Sequence, residues 1–180
     1  MQVRYLLTIL PLPAFAAEVE RMRVLLHARI GSFTGRHNPP HITLFFADLP
    51  AECEAAICEG IEHGVTGHAG FPLHYNGITH FPDRRTIYID PVEKERIAPV
   101  RQSIVAGLRD LPIIGPAVRE TDHPHLTIAA GLKPAQFETA WEMLAPHECM
   151  SEERVTEVVL LKRLLQPGAR YEPVRRFPLG

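Results

Sequence analysis

A chain of 180 residues with 46% apolar content can bury one substantial core and sits near the usual size of a single domain. Its formal charge of −2 and pI near 6.5 provide no broad basic field, which argues against gripping long nucleic acid by its backbone and leaves a nucleotide or an RNA terminus as the nucleic-acid partner to expect. Cys53, Cys58 and Cys149 are odd in number and lack paired spacing, so they suggest neither a disulfide framework nor a zinc motif and fit idle thiols in a reducing cytoplasm.

The opening stretch MQVRYLLTILPLPAFAAE has the basic residue, apolar run and small residues of a secretory signal. Pro11 and Pro13 interrupt that run, however, and the segment reads better as a strand over residues 5–10, a turn and a helix start. Phe15, Val19, Met22 and Leu26 are the buried stripe of that helix. Residues 40–57, PHITLFFADLPAECEAAI, follow. His41, Thr43 and Phe45 alternate with Ile42, Leu44 and Phe46 as in a strand with one polar and one apolar face. Pro50 suits the first turn of a helix, and Cys53, Ile57 and Ile61 recur at helical spacing.

Residues 73–80 and 86–90 read as strands. Ile97, Val100, Ile104, Leu108 and Leu111 mark a third helical stripe, which Pro99 is expected to divide or delay. Residues 124–141, PHLTIAAGLKPAQFETAW, then repeat 40–57 without a gap at a constant offset of 84. His125 and Thr127 lie opposite Leu126, Ile128 and Ala130, Pro134 starts a helix, and Phe137, Trp141 and Leu144 form its stripe. A last strand is expected within residues 155–164.

Both halves therefore read β-α-β-α-β, and the predicted class is α+β: one bilobal domain over residues 1–180, with antiparallel-rich sheets around a central cleft and helices outside. The lobes run roughly over 1–83 and 84–180, with their termini free to exchange. A pseudo-twofold would bring the repeated strands together with their polar faces toward the axis. No apolar run approaches the length of a membrane span, no protein partner is required by any motif, and a cytoplasmic monomer is expected.

Core packing explains repeated Ile, Leu and Phe, but not repeated His and Thr on the opposite face. Histidine titrates near neutrality, so one copy can be neutral while its twin is protonated, a general base facing a general acid. Each threonine projects from the same face and can donate to a phosphate oxygen without a metal. The predicted catalytic set is His41, Thr43, His125 and Thr127, acting on a phosphodiester with no cofactor.

At PPHITLFF, GITHFPDRRTIYID and HPHLTIAA the chain resembles the 2H phosphoesterase superfamily, and within it the 2′-5′ RNA ligase-like or RNA 2′,3′-cyclic phosphodiesterase proteins. The resemblance implies a bilobal fold, no metal, and substrates such as nucleoside 2′,3′-cyclic phosphates at RNA ends, with ligation as the reverse reaction. Members similar to it often carry an arginine shortly after the second motif, as in PHLTLAR, where this chain has Ala129, Ala130 and Gly131. Arg84 or Arg85 is the candidate replacement, and Phe81 the candidate platform for a base. Two rivals remain open. A metal hydrolase would use the close pair His123 and His125 among ten histidines, though no H-E-x-x-H motif is present. A nucleotide-binding or RNA-end-binding module would keep the fold without the chemistry.

Overall fold

The computed structural model describes residues 1–81 and 83–180; Pro82, part of the F-P stretch above, lies outside them. The first repeat comprises β1 (Gln2–Ile9), α1 (Pro13–Ile30), β2 (Ile42–Pro50), α2 (Glu54–Val65) and β3 (Phe71–Phe81). The second comprises β4 (Thr86–Pro91), α3 (Lys94–Arg109), a two-residue β5 (Arg119–Glu120), β6 (Leu126–Ala129), α4 (Pro134–Leu144), β7 (Met150–Val155) and β8 (Glu157–Leu164), after which β9 (Glu172–Pro178) closes the chain. The α+β class and the antiparallel pairing are as expected; β5, β7 and β9 have no counterpart in the sequence reading.

The strands form one curled antiparallel sheet in the order β7-β3-β4-β6-β2-β1-β8-β9, with β5 added against β2. That order is a palindrome of the repeat. The strand pair β6 and β2 is central, β4 mirrors β1, and β3 mirrors β8. The third strand of each repeat thus lies in the other repeat's half of the sheet, and the helices follow: α1 packs on α4, and α2 on α3. The expected closure of each half by its own third strand is replaced by this exchange. Antiparallel neighbours need only a short link, and β3 pairs directly with β4, Phe81 opposite Thr86.

The predicted stripes face the core, although Phe137 and Trp141 of α4 are only partly buried and Leu111 lies beyond the end of α3. Phe15, Val19, Met22 and Leu26 join Ile57, Ile61, Ile97, Val100, Ile104, Leu108 and Leu144 in one core between the helices and the sheet. Pro13 and Pro134 occupy the first helical position, where a missing N–H costs nothing, and Gly31 at φ +76° ends α1. Two local expectations fail. Pro50 ends β2 instead of starting α2, which begins after a short 3₁₀ turn. Pro99 does not divide α3, which runs through it; the proline sits in the second turn, and Ile97, Val100 and Ile104 around it are buried against the sheet. That packing outweighs one lost hydrogen bond. Among the described residues no helix is long and apolar enough to cross a membrane.

Candidate active site

Ile42 of β2 pairs antiparallel with Leu126 of β6. These two residues are repeat equivalents, 84 positions apart, so the pseudo-twofold passes through their pair. Antiparallel register then sets His41 across from Thr127 and Thr43 across from His125, all four on the sheet face away from the helices. Each is half-buried.

Immediately after each motif the ladder skips a residue. Thr8 pairs with Thr43 but Leu7 with Phe45, passing over Leu44; Tyr88 pairs with Thr127 but Ile87 with Ala129, passing over Ile128. Leu44 and Ile128 are equivalents, so the duplication has kept a β-bulge as well as a motif. The bulge corrects the predicted alternation. Phe45 enters the core at 1% exposure instead of sharing a face with His41, and Phe46 joins Leu6 and Leu161 on the cleft side. Ala129 likewise takes the core side opposite Ile87, and Ala130 turns away from it.

Both imidazoles are held alike. His41 Nδ1 lies 2.6 Å from the carbonyl oxygen of Pro39, and His125 Nδ1 lies 2.7 Å from that of His123. A carbonyl only accepts, so each neutral ring carries its proton on Nδ1 and its lone pair on Nε2, at the far edge of the ring. Although part of its surface is exposed, protein atoms surround His41 densely enough that desolvation pushes it down to about 4; the Pro39 carbonyl opposes the shift, and the charges of Arg23 and His125 add to it. Burial lowers His125 too, with the His123 carbonyl opposing, His123 and Arg84 adding to the shift, and Asp90 opposing it. An anion placed between the rings favours the protonated form of either.

The cleft is chemically lopsided. On the β6 side Phe81 stacks on Tyr88 with centroids 4.3 Å apart, and Phe81 meets His123 and His125 edge-on at 5.0 and 5.2 Å. Arg84, largely exposed, holds its guanidinium 5.6 Å from the Phe81 ring centre. Arg85 faces elsewhere, donating from Nε to the Leu132 carbonyl at 2.9 Å. On the β2 side the corresponding surface is largely apolar: Leu6, Val159 and Leu161 with Leu10, Phe46 and Tyr171 around them. His123 replaces Pro39 of the first repeat, and Tyr88, paired with Thr127, stands where Thr8, paired with Thr43, stands in the first repeat.

Two groups escaped the sequence reading. Arg23 of α1, 1% exposed, donates to the carbonyls of Thr127 (2.7 Å), Ile128 (3.2 Å) and Asn38 (2.6 Å) and pairs with Glu20 (2.7 Å). It therefore takes up a carbonyl beside the β6 bulge and ties that strand to the loop ahead of His41. Arg101 of α3 plays a similar part, donating to Thr121 in the loop ahead of His125. A charged residue on an otherwise apolar helical stripe, beside Met22, was the available signal. As for metals, no group of three His, Cys, Asp or Glu side chains suited to one occurs among the described residues. His123 and His125 have ring centres 6.2 Å apart, and the neighbouring Asp90 carboxylate lies 2.6 Å from Lys94 Nζ.

Residues 11–167 match the family model of the 2′-5′ RNA ligase superfamily. The crystal structure of TT0787 of Thermus thermophilus superposes with a TM-score of 0.68 at 21% identity, covering 99% of this chain and 98% of that one. E. coli LigT complexed with 3′-AMP gives 0.61 at 19% identity with 99% of each chain covered, and Kluyveromyces marxianus Usb1 with uridine monophosphate gives 0.50 at 14%, covering 96% and 98%. At such identities these likenesses speak for the fold. No curated protein sequence matches the chain. Its fold, its two H-x-T segments and the near full-length family match agree: the chain belongs to the 2′-5′ RNA ligase superfamily, among the 2H phosphoesterases.

Proposed function

We propose that this protein hydrolyses 2′,3′-cyclic phosphates of nucleosides or RNA termini by paired-imidazole acid–base catalysis without a metal, and that the same groups serve 2′-5′ ligation in reverse. The observation that carries the reading is the Ile42–Leu126 pair, which sets both H-x-T segments on one face about a pseudo-twofold. LigT with 3′-AMP and Usb1 with uridine monophosphate, both nucleotide complexes of the same fold, support a nucleotide in this cleft.

His41 acts as the base. Its pKa is held low, no carboxylate opposes that shift, and its Nε2 takes a proton from the attacking water. His125, which Asp90 helps to protonate, gives a proton to the departing ribose oxygen. The bond formed is water oxygen to phosphorus, and the bond broken is phosphorus to ribose oxygen. Thr43 and Thr127 donate to the non-bridging oxygens as charge gathers there. Phe81 offers a face to a base, and Arg84 a charge to the phosphate.

The test is a panel of 2′,3′-cyclic nucleotides, 2′-5′ dinucleotides and cyclic-ended RNA, incubated in EDTA with wild type, His41→Ala and His125→Ala. Turnover by wild type alone is expected. Nucleotide binding without any turnover would identify a binding module instead, and activity that EDTA removes and zinc or manganese restores would transfer the assignment to a metal hydrolase.

A further inference from the structure

The net charge of the chain hides a local concentration of arginine. A cavity of ≈ 330 Å³ between the loop ahead of β2 and the turn joining β8 to β9 is lined by Arg36, Arg163 and Arg170 together with Phe33 and His37, and by no acidic residue. Its arginines are poorly neutralised. Arg36 lies 3.4 Å from Glu20, whose other oxygen already serves Arg23 at 2.7 Å. Arg163 sits 4.9 Å from the Tyr171 ring centre, and the carboxylate in its own cross-strand row, Asp48, is engaged by two nitrogens of Arg4 at 2.6 and 2.7 Å. The Nε atoms of Arg36 and Arg163 are shut off from solvent without a hydrogen-bond partner among the described residues, a costly state that an anion relieves.

The cavity is built onto the cleft. Thr34 and Ala130 exchange both backbone hydrogen bonds, at 3.1 and 3.2 Å, which pins the cavity wall to the end of the strand bearing Thr127. Arg163 pairs with Arg4, and Thr8 with Thr43, so Arg163 and Thr43 share one sheet face. Four residues along β1 and two strands across separate them, on the order of 15 Å, with the apolar row Leu6, Phe46 and Leu161 between. One phosphate cannot occupy both places.

We infer that the Arg36–Arg163–Arg170 cavity is a second phosphate site, taking a backbone phosphate of an oligoribonucleotide whose terminal phosphodiester lies between His41 and His125. This rests on the proposed function and narrows its substrate to a chain end. Arginine forks match phosphate geometry, and the intervening apolar row suits the faces of bases.

The experiment has a turnover arm and a binding arm. The first compares kcat/KM for a mononucleoside 2′,3′-cyclic phosphate and for a short oligoribonucleotide with the same end. Wild type is expected to prefer the oligonucleotide, and Arg163→Gln and the exposed Arg170→Gln each to cut the ratio about tenfold, the effect of one lost charge-assisted contact. The binding arm follows a 3′-phosphorylated oligoribonucleotide against salt, where each variant should flatten the slope of log Kd on log salt by about 0.7. An unmoved ratio and slope in variants that melt like wild type overturn the inference. So does a preference for a nucleoside cyclic phosphate bearing a 5′-diphosphate with none for the oligonucleotide. Should wild type turn over neither substrate, the proposed function fails, while the salt slope still reads the cavity.

Discussion

His41 and His125 stand on copied strands in different surroundings, and the difference sets the pH dependence of the proposed reaction. Activity should rise with pH as His41 loses its proton near about 4, and fall as His125 loses its own below the ordinary 6.5. The kcat/KM profile is therefore a bell with its optimum on the acid side of neutrality, its limbs belonging to the coupled pair. Initial rates across the pH range check this; an optimum above neutrality contradicts the assigned roles. His41→Ala and His125→Ala should each lose about 10² to 10⁴-fold in kcat, and the double variant little more. Thr43→Val and Thr127→Val should lose on the order of ten- to a thousandfold with melting unchanged. Full activity in both would make the hydroxyls structural. These four residues were legible in the sequence because the repeat preserved polar types where packing has no preference. His123 and Tyr88 were not singled out for the cleft, since neither has a counterpart of its kind in the first repeat.

At the scale of elements, the sequence pattern located every helix by its stripe, and placed the principal strands except β7 and β9. Pattern failed where one element's course depends on another. A bulge is a property of a strand pair, so Leu44 and Ile128 looked like ordinary alternation until the ladders with β1 and β4 were known. The α2–α3 contact makes a sharper case. A Cβ on Gly64 would stand 2.5 Å from Ile104 Cα and 2.9 Å from its Cγ1, so the helices meet at a distance only glycine allows. Gly64→Ala should destabilise by about 1–3 kcal/mol from overpacking, exceeding the gain of roughly 0.5–1 kcal/mol in helix propensity. Urea unfolding measures the balance, and a raised midpoint would mean that the helices separate at little cost.

At the scale of the molecule, the exchange of β3 and β8 between the halves makes neither repeat complete alone, and Arg23 reinforces the join from the helical side. Arg23→Met keeps an unbranched stem but strips donors from the carbonyls of Asn38, Thr127 and Ile128. A loss on the order of 3 kcal/mol is expected, because buried acceptors are left unpaired. Turnover should fall with it at temperatures where the variant stays folded, since β6 loses its tie to the loop ahead of His41. Melting as stable as wild type would show that water or another group replaces the guanidinium.

The sequence by itself determined the duplication, the α+β class, the helical stripes and the His and Thr pair, because each is written in spacings of a few residues or in a constant offset of 84. Only the tertiary structure decided that Ile42 meets Leu126 on the axis, that each third strand crosses to the other half, and that one side of the cleft carries stacked aromatic and imidazole rings and the other a mainly aliphatic cluster. It also gathered Arg36, Arg163 and Arg170 around one cavity from positions up to 134 residues apart. Such arrangements depend on which surfaces meet when the core closes, and a local periodicity carries no record of that.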